Sequence, residues 1–260
     1  MAFHVVIPAR FAATRLPGKP LLDIGGRPMI QRVVERACAS GADEVLVATD
    51  DQRIAAAVSD PRGRGTAIAV MTDPDLPSGT DRVAAVAAAR GWSDDTIVVN
   101  VHGDEPFLPP GLVDQVAALL AADPAAGIAT LAAPIESLEQ FLDPNVVKVV
   151  TTNDGAALYF SRAPIPWTRD GAQGGLASQQ DYGEAMRHVG IYAYRAGTLR
   201  RMTRWSPTSL ERREKLEQLR ALQNGVRIVV ATCVEVPGPG VDTPLDLERA
   251  RLRAAQSGGI

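Results

Sequence analysis

Arg10, Arg15 and Lys19 put three cations within ten residues, in the segment IPARFAATRLPGKPLLDIGGRPMI that continues from an apolar run. No carboxylate lies among them, so their mutual repulsion calls for negative charge from outside the loop. Arginines, a lysine and a few backbone amides are the groups that offset charge building on a departing polyphosphate. Neither common phosphate loop is present. Gly18–Lys19 runs into Pro20 rather than Ser or Thr, and no Gly-x-Gly-x-x-Gly follows the first apolar run. The loop therefore reads as a side-chain cradle for a small anionic ligand; the plainer alternative is a solvated basic surface loop.

Carboxylates at the ends of apolar runs are the next candidates. TIVVNVHGDEP carries Asp104 just past a buried strand, where one or two carboxylates suffice to hold Mg²⁺ against phosphate oxygens. A Gly-Asp turn explains the same residues without a metal. Asp242, in GPGVDTPLDLER, is the natural N-cap of a helix, yet Thr243 and Pro244 already supply a cap and a first-turn residue. Asp242 is then free to point elsewhere.

A third group could read a polar ligand. His188 and Tyr192 in RHVGIYAY share one face of an extended strand, although a lone histidine on an apolar strand is usually structural. Arg162 in FSRAP has the forked geometry that suits a carboxylate. Ser78, Gly79 and Thr80 in PSGTDR read as a turn and helix cap that also permits close backbone approach. Glu217 and Gln218 in EKLEQLRAL read, from the residues alone, as a solvent-facing helical pair.

These residues need elements to position them. Strands are predicted at His4–Ala9, Glu44–Ala48, Ala67–Met71 and Thr96–Val101, with helices at Met29–Ala39, Gln52–Ala57 and Asp81–Ala89. That alternation, with near-continuous Val and Ile in the strands, indicates a parallel sheet covered on both faces. Ligands in such sheets bind beyond the carboxyl ends of the strands, which is where Arg10 falls. Gly127–Ala133, Val146–Thr152, Ala157–Ser161, His188–Tyr194 and Val226–Thr232 are further predicted strands, with few helices before Thr208. This half should mix antiparallel strands into the sheet and project a lobe. Thr208 and Glu211 predict a capped helix running to about Leu222, and Thr243–Pro244 opens a final one. The glycine-rich stretch Thr168–Gly183 is either a flap over the site or a surface loop.

The 260 residues are 46% apolar with a net charge of -3, so no global positive field exists to hold nucleic acid or an acidic membrane. Cys38 and Cys233 lie far apart without metal-ligand spacing and read as buried thiols. No signal-peptide-like or membrane-spanning run is visible, and a cytoplasmic location is expected.

Taken in order, IPARFAATRLPGKPL, SGTDR, VNVHGDEP, PNVVKVV, ALYFSRAPIPW, RHVGIYAYR and VPGPGVDTPLDLER resemble the sugar-activating cytidylyltransferases, in particular those acting on 3-deoxy-manno-octulosonate (Kdo). The resemblance spans nearly the whole chain. It implies an α/β, Rossmann-like nucleotide-diphospho-sugar transferase fold, with a mixed, mostly parallel sheet, helices on both faces and a projecting dimerisation lobe. It further implies one domain over 1–260, its nucleotide part at roughly 1–125 plus 205–260 and its sugar and dimer lobe at roughly 126–204. The reaction implied is CTP + Kdo → CMP-Kdo + pyrophosphate, serving lipopolysaccharide assembly, in a homodimer. Lys19, Arg10 and Arg15 would face the triphosphate, Asp104 and Asp242 would hold Mg²⁺, and Ser78, Gly79 and Thr80 would meet the nucleotide. His102, Arg162, His188, Tyr192, Glu217 and Gln218 would bind the sugar. Two positions depart from the family pattern: Leu76 and His102 stand where histidine and glutamine are usual. A related acidic sugar, such as 8-amino-Kdo or sialic acid, is the alternative substrate. A glycosyltransferase would ordinarily carry an Asp-x-Asp that GDEP lacks, and a non-catalytic sensor would have no need of the metal carboxylates.

Overall fold

The computed structural model describes residues 1–12, 16–59, 63, 65–171 and 174–256. Strands β1 (His4–Ala9), β2 (Glu44–Thr49), β3 (Ile68–Met71) and β4 (Ile97–Asn100) alternate with helices α1 (Met29–Cys38), α2 (Gln52–Val58) and α3 (Gly79–Ala89). Then come α4 (Pro110–Ala122), β5 (Ile128–Pro134), α5 (Leu138–Leu142), β6 (Lys148–Thr151), β7 (Ala157–Ser161) and β8 (Met186–Arg195). The chain continues through α6 (Ala196–Met202), α7 (Ser209–Glu214), α8 (Gln218–Gln223), β9 (Ile228–Thr232) and α9 (Pro244–Gln256).

The strands form one sheet in the order β3-β2-β1-β4-β8-β5-β9, with β6 and β7 attached beside β8. Only β8 runs against the others along that path, because it is antiparallel to both β4 and β5 while the remaining pairings are parallel. The carboxyl ends of six strands therefore share one edge with the start of β8. Successive side chains of β1 take opposite faces. Val5 and Ile7 pack with α1, α2 and α4, whereas Val6 packs with α3, α6 and α8.

The predicted strands and helices of the first half agree with the observed ones to within a residue or two. Two elements differ from expectation. Helix α4, PGLVDQVAALLAA, was not anticipated; it is apolar on most of its surface, so the 3.6-residue contrast that marks an amphipathic helix is faint. The single helix expected from Thr208 to Leu222 breaks at Lys215, which takes the left-handed conformation with φ 56°. Glu211 fixes the fold-back. It accepts from the Thr208 N–H at 3.1 Å and from Arg220 Nε at 2.9 Å, drawing α8 against the start of α7.

Candidate active site

Two carboxylates distant in sequence meet at the shared edge of the sheet. Leaving β4, the chain passes under β1 at Gly103, where a Cβ would stand 3.0 Å from the Pro8 carbonyl oxygen; glycine is the residue that fits. Asp104 follows. Its carbonyl accepts from the Val241 N–H at 2.9 Å, docking the segment before α9 and bringing Asp242 alongside. The helix cap is supplied by Thr243, whose Oγ1 accepts from the Asp246 N–H, while Asp246 accepts from the Thr243 N–H at 2.9 Å. The Asp242 carboxylate is thus turned to another use, as expected.

Lys19 lies between the two. Its ammonium donates to Asp104 Oδ2 at 2.7 Å and to Asp242 Oδ1 at 2.9 Å. The lysine is aimed there by a 3₁₀ turn, Lys19–Leu21, entered through Gly18 at φ 66°, whose N–H donates to the Phe11 carbonyl at 3.2 Å. The negative charge that the basic loop required is therefore supplied in part by the chain itself. Arg10 is exposed just past β1 and makes no side-chain hydrogen bond or ion pair among the described residues. Arg15 lies outside the described residues.

Convergence of two carboxylates on one cation tests the site for a divalent ion, and the donor set fits. Among the described residues no group of three or more His, Cys, Asp or Glu could enclose a metal. Two carboxylates that leave the remaining positions to phosphate oxygens and water are what Mg²⁺ uses when its partner is a nucleotide. Glu105, next in the chain, also belongs here. Burial, followed by the nearby charges of Asp104 and Asp242, pushes its carboxyl up to about 7. Consecutive acids after an apolar strand were the available signal.

Beside this pair opens a cavity of about 260 Å³, lined by Thr80, Asn100, His102, His188, Gly190, Tyr192, Tyr194, Lys215, Leu216, Glu217 and Gln218. Five of the six predicted sugar residues converge there: His102, His188, Tyr192, Glu217 and Gln218. The break at Lys215 turns Glu217 and Gln218 inward rather than to solvent. Glu217 accepts from Thr80 Oγ1 at 2.7 Å and, more weakly, from Ser78 Oγ at 3.3 Å; burial raises its carboxyl. Ser78 also caps α3 by accepting from the Asp81 N–H at 3.1 Å. Ser78 and Thr80 thus tie the α3 N-terminus to the start of α8, and Thr80 lines the cavity. Gly79 lies against Pro8 at the end of β1. Burial raises the Tyr192 and Tyr194 phenols well above their ordinary range, leaving them neutral.

His188 offers an acceptor rather than a donor to the cavity. Thr130 Oγ1 lies 2.7 Å from the Ile191 carbonyl, a separation that requires the hydroxyl proton between them. Thr130 must then accept from His188 Nε2–H at 2.9 Å. That N–H is occupied, and Nδ1 remains as an acceptor. Burial, with His102 nearby, pulls this imidazole down to about 3. Its ordinary value is 6.5, so acid protonates the unfolded chain first; the contribution to stability is whole above 6.5 and declines as pH falls towards 3. His188→Gln keeps an N–H for Thr130 but does not titrate. Urea unfolding between about pH 4 and 7 should show the native chain losing stability relative to this variant as pH falls, by at most about 1.4 kcal/mol per pH unit. A constant difference would contradict the assignment.

Arg162 is a correction. It does not line the cavity: Nε donates to the Glu214 carbonyl at 2.8 Å and a terminal nitrogen to the Pro144 carbonyl at 2.9 Å, so its fork is spent on backbone oxygens. The cation that does line the cavity is Lys215. Leu76 is absent from the cavity and lines a shallow groove with Ala84, Ala85 and Ala88 of α3. Arg82, unremarked in the sequence, is buried and donates to Asp50 Oδ2 at 3.0 Å, while Asp50 Oδ1 accepts from the Phe11 N–H at 3.4 Å, anchoring the start of the basic loop. Cys38 is half-buried and Cys233 buried, and both are free. No helix among the described residues is long and apolar enough to cross a membrane.

The family model described as cytidylyltransferase matches residues 4–228. The chain is 53% identical over 261 residues to the 3-deoxy-manno-octulosonate cytidylyltransferase of Alcanivorax borkumensis, covering 100% of each. It is 54% identical over 254 residues to the enzyme of the same name from Pseudomonas syringae pv. syringae, covering 96% of this chain and 97% of that one. Among solved structures it resembles a CMP:2-keto-3-deoxy-manno-octonic acid synthetase complexed with CTP, with a TM-score of 0.86 and 43% identity over 98% of this chain and 99% of that one. A match over most of the chain, on a sheet whose carboxyl edge gathers the lysine and both aspartates, places this protein in the cytidylyltransferase family.

Proposed function

We propose that the chain transfers CMP from CTP to Kdo, releasing pyrophosphate. The observation that carries this reading is the full-length relatedness to enzymes named for that reaction, joined to a carboxylate pair and a polar cavity at one sheet edge. The anomeric hydroxyl of the sugar attacks the α-phosphorus of CTP; the bond to the β-phosphate breaks and pyrophosphate departs. Asp104 and Asp242 would hold Mg²⁺, which when bound polarises the phosphate oxygens as a Lewis acid. Arg10, Arg15 and Lys19 offset charge on the triphosphate and on the leaving group. In the cavity, Glu217 and His188 Nδ1 accept from sugar hydroxyls, Gln218 and Tyr192 can donate, and Lys215 supplies the cation facing the sugar carboxylate.

In this reading residues 1–125 with 205–260 carry the nucleotide site and 126–204 the dimer lobe, and both parts line the sugar cavity. A homodimer through that lobe is part of the same proposal; Leu158, Trp167 and Leu176 are exposed on it. Incubation with CTP, Mg²⁺ and either Kdo or sialic acid tests the substrate: pyrophosphate should appear with Kdo. Release with sialic acid alone would move the assignment to that sugar.

A further inference from the structure

Asn100 ends β4, a strand of sequence IVVN that is buried along its length. Its register partner on β8 is Tyr192. Its side chain lies on the face of the sheet that carries Tyr192 and Tyr194, and it lines the cavity. Only 3% of the residue is exposed, and Oδ1 is fully buried without a hydrogen-bond partner. Nor does the rest of the carboxamide bond to any described residue. A buried carboxamide oxygen left unmet is costly, and an apolar residue would end the strand without that cost.

Such a group is accounted for by a ligand that pairs with it. We propose that Asn100 is a specificity-determining residue of the reaction, its carboxamide reading a hydroxyl of the bound sugar; this rests on the cavity being the sugar site. The carboxamide carries a donor and an acceptor side by side, and a polyol presents the same pair on neighbouring carbons. Glu217 is engaged with Thr80 and the His188 N–H with Thr130, so Asn100 adds an unengaged acceptor and N–H to the donors that Gln218 and Tyr192 supply. A site built to hydrogen-bond a hydroxyl rejects an analogue lacking it, because the protein group is then left unpaired again.

The test is a cycle of variants against substrates. Pyrophosphate release is measured for the native protein, Asn100→Ala and Asn100→Leu, with Kdo and with Kdo analogues each lacking one hydroxyl other than the anomeric one. Asn100→Ala should raise KM for Kdo about 10-fold and leave KM for CTP within about twofold. One deoxy analogue, about 10-fold worse than Kdo for the native protein, should be no worse than Kdo for Asn100→Ala. Unchanged KM for Kdo, or equal penalties for every analogue in both proteins, overturns the inference. If the alanine variant does not fold, Asn100→Leu decides, since it keeps the size and loses both the Oδ1 acceptor and the N–H: it should show the same selective rise in KM for Kdo, and a native KM overturns the proposal. A native protein that releases no pyrophosphate with Kdo overturns the substrate assignment instead, so the two failures are distinguishable.

Discussion

Asp104→Ala should lower turnover by about 10²–10³-fold while leaving the fold intact. The carboxylate lies past the end of β4, and what fastens this segment is the Asp104 carbonyl, which still accepts from Val241. Loss of the carboxylate removes one of two protein ligands proposed for the metal and leaves Lys19 held by Asp242 alone. Asp242→Ala should give a similar loss, and the double variant should be little worse than either single one, because the pair acts as a unit. Raising Mg²⁺ should recover part of the single-variant loss and none in the double variant. Steady-state pyrophosphate release across a Mg²⁺ series, with thermal unfolding as a control on folding, reads these outcomes. A native rate in Asp104→Ala would remove the aspartate from the chemistry.

The strands that position these residues were legible because burial on both faces leaves an unmistakable run, as in HVVIPA and IVVN. Residues at their carboxyl ends followed by topology, which is why Arg10 and Asp104 could be placed at one edge. Convergence was another matter. Lys19 reaches Asp104 and Asp242 across 85 and 223 positions, and no local pattern states that a cation assigned to phosphate first neutralises the carboxylates assigned to metal. Arg162 shows the converse error. Its forked geometry does suit a carboxylate, but backbone carbonyls at Pro144 and Glu214 compete for the same donors, and proximity decides. Periodicity also runs unbroken through SLERREKLEQLRALQ; only the tertiary contact of Glu211 with Arg220 explains why the helix stops at Lys215 and turns Glu217 into the cavity. Asn100 was invisible for a related reason, since asparagine at the end of an apolar run reads as a turn former until its orphaned oxygen is seen.

Lys19→Ala should move two quantities in opposite directions. Turnover should fall by about 10²–10³-fold, because the lysine is the cation best placed to offset charge on departing pyrophosphate. Mg²⁺ binding without nucleotide should strengthen, by about 10-fold or more. The physical reason is competition for one point in space. The ammonium makes two charge-assisted hydrogen bonds at 2.7 and 2.9 Å where the carboxylates converge, and hydrogen bonds to charged groups are worth about 1.5–3 kcal/mol each. A divalent ion entering the native protein must displace them. Triphosphate oxygens offer Lys19 another partner, so CTP and Mg²⁺ should each raise the affinity of the native protein for the other by the same factor. In the alanine variant the displaced cation no longer exists, and much of that coupling should vanish. Titration calorimetry with Mg²⁺ alone, CTP alone and each in the presence of the other measures the coupling directly. Were Lys19→Ala to bind the ion no better than the native protein and keep a native rate, the lysine would be a surface cation held by chance between two aspartates.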